Sequence, residues 1–179
     1  MSIPFWAVTA MGLLIVAGGS GSLPDSGRVA PKAKGVLTDT AGKEVGTIEA
    51  EQAYDGLRII VKVHDLPGGD LGVHVHAGTA CGSGEGAEPF AEAGPHFDPL
   101  NRGVHAGLNG PGHAGDLGNI SVAADGKGKL DVVQKDLTIE PGKTNILGKP
   151  VVLHAHSDNL TDKPESGGSD GRLACGVLQ

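Results

Sequence analysis

The stretch "KGVLTDTAGKEVGTIEAEQAYDGLRIIVKV", residues 34–63, contains three short segments in which apolar and polar residues alternate. Alternation with a period of two is typical of β-strands that bury one face. Turn-forming residues separate the segments, and Asp55-Gly56 lies between the second and the third. Since Asp-Gly is a preferred hairpin turn, we expect the three strands to be joined as antiparallel hairpins.

The same pattern continues along the rest of the chain. Further strand-like segments lie at residues 72–76, 119–124, 130–139, 149–156 and 172–178. No segment has helical periodicity over the length of an ordinary helix, and 31 glycines favour turns between strands. Seven or eight short strands in one domain predict an all-β fold, an antiparallel sandwich or barrel.

The N-terminus differs in composition from the rest. An apolar run at residues 3–17 is followed by small residues, and it is shorter than the ~20 residues of a spanning helix. We interpret residues 1–19 as a signal peptide. No Lys or Arg precedes Arg28, so an uncleaved membrane anchor is the alternative. Residues 20–33 have the composition of a flexible linker, and we expect the folded domain over residues 34–179.

Charge and cysteine content narrow the class of protein. The formal net charge is −7 with scattered Lys and Arg, which excludes the concentrated basic patch of a nucleic-acid-binding protein. An exported chain reaches the periplasm or the outside of the cell, where disulfides are stable. Cys81 and Cys175 are the only cysteines. An even count favours one disulfide, and two buried free thiols are the alternative.

A long loop at residues 78–118 carries a set of metal-ligand types. It has about forty residues, rich in Gly and Pro, with hardly any apolar run. Loops of this length are unusual in compact domains unless they are functional or disordered. Three imidazoles and a carboxylate, the number that fills a closed tetrahedral zinc shell, recur within it. They are His96, His105, His113 and Asp116. We therefore predict a loop ordered by a metal ion.

The strand "GVHVH", residues 72–76, carries two further imidazoles. Because side chains alternate along a strand, His74 and His76 share one face, and Val73 and Val75 point to the core. An all-nitrogen donor set suits divalent copper. A His-x-His pair is, however, often simply surface histidine.

The late segment "KPVVLHAH", residues 149–156, supplies His154 and His156. Sheet pairing could place them beside the first pair, and a straight strand would put both on one face. Residue geometry alone does not choose between them. His64 precedes a turn, so we expect it to be solvent-exposed.

Five short motifs of the sequence, taken together, are specific for one protein family. They are "GVHVH" (72–76), "AGPHFDP" (93–99), "HAGDLGN" (113–119), "VVLHAHSDNL" (151–160) and "GRLACGVL" (171–178). In this order they resemble the copper-zinc superoxide dismutase family, in its bacterial periplasmic branch. The resemblance covers residues 34–178 and implies a Greek-key β-sandwich or barrel of about eight strands, with two long loops forming the metal site. Leu71 and Val73 stand where the family often has a histidine and a phenylalanine, which affects packing rather than metal binding.

The resemblance also implies a role for individual residues. Copper, as Cu(2+)/Cu(+), would take His74, His76, His96 and His154. Zinc, as Zn(2+), would take His96, His105, His113 and Asp116, with the His96 ring shared between the ions. Asp158 would hydrogen-bond His74 and His105, Arg172 would be the active-site arginine, and Cys81 would pair with Cys175.

The activity implied by the resemblance is dismutation of superoxide to oxygen and hydrogen peroxide, as antioxidant defence outside the cytoplasm. The partner is then the superoxide anion, with no nucleic acid and no membrane partner unless the N-terminal segment is retained. A monomer and a homodimer both stay open. One alternative is a copper- or zinc-binding protein on the same fold without activity. Another is a zinc hydrolase, which needs an open zinc position that a full ligand set does not offer.

Overall fold

A computed structural model describes residues 30–83 and 88–179, apart from the side chains of residues 165 and 166. The expected signal peptide, residues 1–19, and most of the expected linker lie outside the described residues. The strands are β1 (Lys32–Asp39), β2 (Glu44–Ala53), β3 (Gly56–Val63), β4 (Gly69–Val75), β5 (Asp116–Val122), β6 (Gly128–Gln134), β7 (Pro150–His154) and β8 (Arg172–Val177). Two short 3₁₀ helices span Ala91–Ala93 and Glu165–Gly168. Within the described ranges, no helix has the length and apolar character needed to cross a membrane.

The strands close into one antiparallel barrel in the order β1-β2-β3-β6-β5-β4-β7-β8. The first three strands form consecutive hairpins, as expected, and Ala53 pairs with Gly56. The second turn therefore consists of Tyr54 and Asp55, one residue before the expected Asp55-Gly56, and Gly56 begins β3. The chain crosses from β3 to β4 and from β6 to β7, since neither pair is adjacent in the barrel. These crossovers make the barrel a Greek key, which confirms the predicted fold class.

Alternation along the strands places the core inside the barrel. On β3, Leu57, Ile59 and Val61 are fully buried, whereas Arg58 and Lys62 are exposed. β4 differs because residues 71–75 are buried without interruption. The valines of β4 face the apolar core, as predicted, and the loops cover its other face, which carries the histidines.

Several strand boundaries differ from the sequence-based expectation, and β5 begins at Asp116, a residue expected in the long loop. β1 begins at Lys32, two residues before the expected domain start, because Ala33 is buried in the core. β6 ends at Gln134, since the following segment turns away to bury Leu137 and Ile139. β7 ends at His154 and does not reach residue 156.

The two cysteines form the predicted disulfide. The bond joins Cys81, in the loop after β4, to Cys175 on β8, with 5.7 Å between the Cα atoms. Cys175 is buried in a small cluster with Phe90, Ala93 and Val152. The alternative of two free thiols is therefore wrong, and the long loop is attached covalently to the barrel.

Candidate metal centre

Strand pairing and the return of the long loop bring together four histidines from three separate parts of the sequence. β4 and β7 are antiparallel neighbours, with His74 opposite Val152. The long loop returns to the end of β4, where His96 forms a bridge with His76. As a result, four buried imidazoles each offer a nitrogen within 4.8 Å of the others. This four-histidine group consists of His74, His76, His96 and His154.

Hydrogen bonds fix which nitrogen of His76 and His154 carries the proton. The Nδ1–H of His76 donates to the Gly94 carbonyl at 2.8 Å, and that of His154 donates to the Asp170 carbonyl at 2.7 Å. Burial lowers the pKa of His154 to about 4 and that of His76 still further, so both rings are neutral at pH 7. Their Nε2 atoms, 3.2 Å apart, are therefore both lone-pair acceptors.

His74 is held in the opposite tautomer. Its Nε2–H donates to Asp158 Oδ2 at 3.0 Å, and its buried Nδ1 has no hydrogen-bond partner among the described residues. Burial lowers the pKa of His74 to about 3, so this ring is also neutral. Buried polar atoms without a partner are rare and call for an explanation, such as an ion. Three unprotonated imidazole nitrogens in one buried group suit copper.

Asp116 is the centre of a second cluster. Its Oδ1 lies 2.9 Å from His96 Nδ1, 3.1 Å from His105 Nδ1 and 3.4 Å from His113 Nδ1. Donors at about 2.0 Å from a tetrahedral zinc are about 3.3 Å apart, so this spacing fits the ion. Burial opposes ionisation of Asp116, but its three imidazole neighbours outweigh burial and hold its pKa far below the usual range.

The tightest second group contains His74 rather than His113. It consists of His74, His96, His105 and Asp116, whose donor atoms lie within 4.8 Å of one another. His74, however, has only Nδ1 left, because its Nε2 is bonded to Asp158. His113 approaches the same oxygen of Asp116 with an Nδ1 that has no hydrogen bond within the described ranges. The donor chemistry therefore favours His113 for the zinc shell.

His96 belongs to both groups. Since its Nδ1 faces Asp116, its Nε2 is the nitrogen left for the four-histidine group. The carboxylate of Asp158 links the groups a second time, because Oδ1 accepts from His105 Nε2 at 2.9 Å while Oδ2 accepts from His74. Burial would lower the pKa of His105, but hydrogen bonds to Asp116 and Asp158 outweigh it and raise this pKa to about 9.

Arg172 lies in the cleft that opens over the four-histidine group. Its guanidinium donates to the carbonyls of Phe90 and Gly94. The same cleft is lined by His76, His96 and His154. Three carboxylate residues, Glu88, Asp162 and Asp170, also line it. Arg172 is the only Lys or Arg among the described residues that line this cleft.

Two histidines lie outside both the four-histidine group and the cluster around Asp116. His156 is exposed, because β7 ends two residues earlier and the chain turns towards the second loop. His64 has a side chain 45% exposed, in line with the expectation. Sequence reasoning missed the carbonyl acceptors of Gly94 and Asp170, since main-chain groups leave no signal in a sequence. It also assigned no role to Asn119, although the residue ends one of the quoted motifs.

Comparisons with known proteins identify relatives of this fold and site. A family model described as copper/zinc superoxide dismutase (SODC) matches residues 44–178. A superoxide dismutase [Cu-Zn] of Deinococcus radiodurans is 36% identical over 98% of this chain and 98% of the relative. That of Brucella abortus biovar 1 is 40% identical over 77% of this chain and 80% of the relative. The solved structure of a Cu/Zn superoxide dismutase from Brucella abortus matches with a TM-score of 0.74 and 36% identity, covering 83% of this chain and 100% of that chain.

Proposed function

Because this chain belongs to the copper/zinc superoxide dismutase family, we propose that it converts superoxide to oxygen and hydrogen peroxide. The observation that carries the proposal is the pair of buried donor groups, which share His74 and His96. Because His74 Nε2 is bonded to Asp158, His96 is the ring that can offer one nitrogen to each site. A protein that only stored metal would not need a ring common to two sites or an open cleft above one of them. Arg172 in that cleft supports the enzyme over the storage protein.

We assign His74, His76, His96 and His154 to copper, and His96, His105, His113 and Asp116 to zinc. When bound, copper supplies one-electron redox chemistry between its two oxidation states, and zinc supplies a fixed charge without redox change. The Nδ1 atom of His74, which has no hydrogen-bond partner among the described residues, supports the copper assignment. The Nδ1 atoms of His105 and His113, which lie 3.1 and 3.4 Å from Asp116 Oδ1, support the zinc assignment. Asp158 accepts the Nε2 proton of both His74 and His105, so Nδ1 is the nitrogen that each ring can offer to a metal ion.

His96 is the group we assign to proton transfer. Its Nδ1 lies 2.9 Å from Asp116 Oδ1, and this contact keeps the ring in position while Nε2 binds a proton. All four imidazoles of the copper set have one ring nitrogen held by a carbonyl or a carboxylate, and only in His96 does that nitrogen face a residue of the zinc set, Asp116. We therefore assign to His96 the delivery, at Nε2, of one of the two protons that hydrogen peroxide needs, while the second proton and the proton that restores the ring come from water.

Arg172 guides and holds the substrate. Superoxide is an anion, and the protein has a net charge of −7, so the average field repels it. The two carbonyl acceptors hold the guanidinium in the cleft, where its charge acts locally. Local focusing of this kind raises encounter rates by about 10- to 1,000-fold, a range for which this enzyme class is a standard example.

We infer that the protein acts in the periplasm or outside the cell. The apolar run at residues 3–17 and the Cys81–Cys175 disulfide support export, since disulfides persist in oxidising compartments. Cell fractionation tests this inference: the protein is expected in the periplasmic or extracellular fraction, and recovery in the cytoplasm would contradict it. Mass spectrometry of that material would distinguish cleavage after the apolar run from a retained anchor.

The proposed activity is tested with purified protein loaded with copper and zinc. We expect rapid superoxide decay in a stopped-flow assay, loss of the activity on chelation and its return on copper addition. Protein loaded with zinc alone is the matched control and is expected to be inactive. Bound copper and zinc without superoxide decay would favour the non-enzymatic metal-binding protein instead.

A further inference from the structure

Asn119 joins the barrel to the second long loop. It lies on β5, opposite Gly72 of β4. Its side-chain amide makes two hydrogen bonds to the main chain of one residue: Nδ2 donates to the Asp158 carbonyl, and Oδ1 accepts from the Asp158 N–H, both at 2.7 Å. Both polar groups of the Asp158 peptide backbone are therefore held by a single strand residue.

The side chain of Asp158 is held by three hydrogen bonds. One carboxylate oxygen accepts from His74, and the other accepts from His105 and from the Leu160 N–H at 2.7 Å. The backbone of β4 lies directly beneath, since a Cβ on Gly72 would lie 3.4 Å from the Asp158 Cβ. The residue is thus fixed at both ends, by Asn119 at its main chain and by two rings at its side chain.

We propose that Asn119 is a positioning residue for both metal sites. By holding the main chain of Asp158 against β5, it sets the direction in which the carboxylate accepts the Nε2 protons of His74 and His105. The carboxylate in turn keeps the lone pairs of these rings on Nδ1. Because the angle and length of a hydrogen bond tolerate little displacement, a shift of Asp158 weakens control of both rings together. This inference rests on the proposed copper and zinc sites.

A merely structural role makes a different prediction. If Asn119 only attached the loop, its loss would lower stability without changing the metal sites. Gln52 offers a matched control, since its amide also joins a strand to a long loop. Its Nε2 donates to the Gly56 carbonyl at 3.0 Å, and its Oε1 accepts from the Ile139 N–H at 3.2 Å. Gln52 lies outside both donor groups.

The experiment compares Asn119→Ala, Gln52→Ala, Asp158→Asn and the double variant Asn119→Ala/Asp158→Asn with the wild type. Zinc and copper affinities are measured against competing chelators, and the copper site is observed by EPR. Loss of a group that orients a metal ligand typically costs 10- to 100-fold in affinity, so we expect about a tenfold loss of zinc affinity and an altered copper spectrum for Asn119→Ala. Gln52→Ala is expected to keep the wild-type affinities and spectrum, at a lower unfolding midpoint.

The double variant tests whether Asn119 acts through Asp158. If it does, the double variant binds zinc as Asp158→Asn does, to within about twofold. Wild-type affinities and spectrum in Asn119→Ala, or losses that multiply in the double variant, would overturn the proposal. Should Asn119→Ala not fold, Asn119→Asp, which keeps the acceptor and replaces the donor, is measured against the same criteria. A wild type that binds no copper and zinc pair would instead refute the proposed function.

Discussion

The Nε2 atoms of His76 and His154 face each other at 3.2 Å although neither carries a proton to share. Each ring donates its only proton to a main-chain carbonyl on its far side. Two buried lone pairs directed at each other repel, and a cation between them removes the repulsion. Among the contacts of the four-histidine group, this one argues most directly for a metal ion.

Alanine variants of His154 and His156 distinguish the histidine that binds copper from the one that does not. His154 belongs to the buried donor group, and His156 is exposed two residues later. We expect His154→Ala to lose most of its copper and its activity, whereas His156→Ala keeps both. Copper content per chain after dialysis, measured by elemental analysis, checks this. Copper loss in His156→Ala would show that the end of β7 is misassigned.

His113→Ala tests the zinc shell. Since its Nδ1 lies 3.4 Å from Asp116 Oδ1, we expect zinc affinity to fall by more than about tenfold while copper still binds. A chelator competition assay measures the change. His74→Ala is the comparison: it is expected to weaken copper binding more than zinc binding. If instead His74→Ala abolished zinc binding and His113→Ala did not, zinc would be bound by the second donor group, which contains His74 in place of His113.

Arg172→Ala should slow superoxide decay by about tenfold or more at low salt, with copper content unchanged. The rate of the wild type should fall as salt is added, and that of the variant should fall less, because screening weakens a steering charge. Arg58→Ala removes the same charge from the exposed outside of β3, where Arg58 pairs with Asp131, and serves as the control. Equal rates for Arg172→Ala and Arg58→Ala would contradict local guidance of the substrate.

The metal-free protein should be most stable near pH 6.5. The folded-state pKa of His74 is about 3 and that of His154 is about 4, both below the ordinary 6.5. Their contribution to the free energy of unfolding is therefore complete above pH 6.5 and is lost as the pH falls below it. The pKa of His105 is raised to about 9, so its contribution is complete below pH 6.5 and is lost as the pH rises towards 9. Each histidine changes the free energy of unfolding by up to about 1.4 kcal/mol per pH unit.

Urea unfolding of the metal-free protein across this pH range measures the effect. A maximum near the ordinary histidine pKa is expected, with lower midpoints on both sides. In His154→Ala, the unfolding midpoint should fall less steeply on the acid side of the maximum. A midpoint that rises steadily towards acid pH would mean that the buried imidazoles are not held neutral in the folded state.

Much of the barrel could be predicted from alternation alone. The hairpins of β1, β2 and β3 follow from period-two patterns and from one Asp-Gly pair, which are local features of the chain. The end of β7 could not be predicted, because it follows an irregularity in the pairing with β8, where the register shifts between Leu153 and His154. For that reason residue geometry alone could not choose between His154 and His156.

The donor types of the site were visible in the sequence, but their orientation was not. His96, His105, His113 and Asp116 stand out because a segment with hardly any apolar run carries them. Which ring nitrogen each histidine offers depends on the carbonyls of Gly94 and Asp170, and every residue has a carbonyl. The role of Asn119 depends on which loop crosses β5, a matter of tertiary structure. Spacing in sequence therefore indicated the buried donor residues better than the groups that orient them.

The shared ring of His96 is the central claim, and magnetic coupling tests it most directly. Copper is loaded into the four-histidine group and cobalt, a paramagnetic substitute, into the zinc set, and the copper EPR signal is recorded. A single imidazolate joining the two ions is predicted to couple their spins and suppress the copper signal, whereas the copper-zinc protein keeps it. A copper signal that is unchanged by cobalt bound at the zinc set would contradict the shared ring.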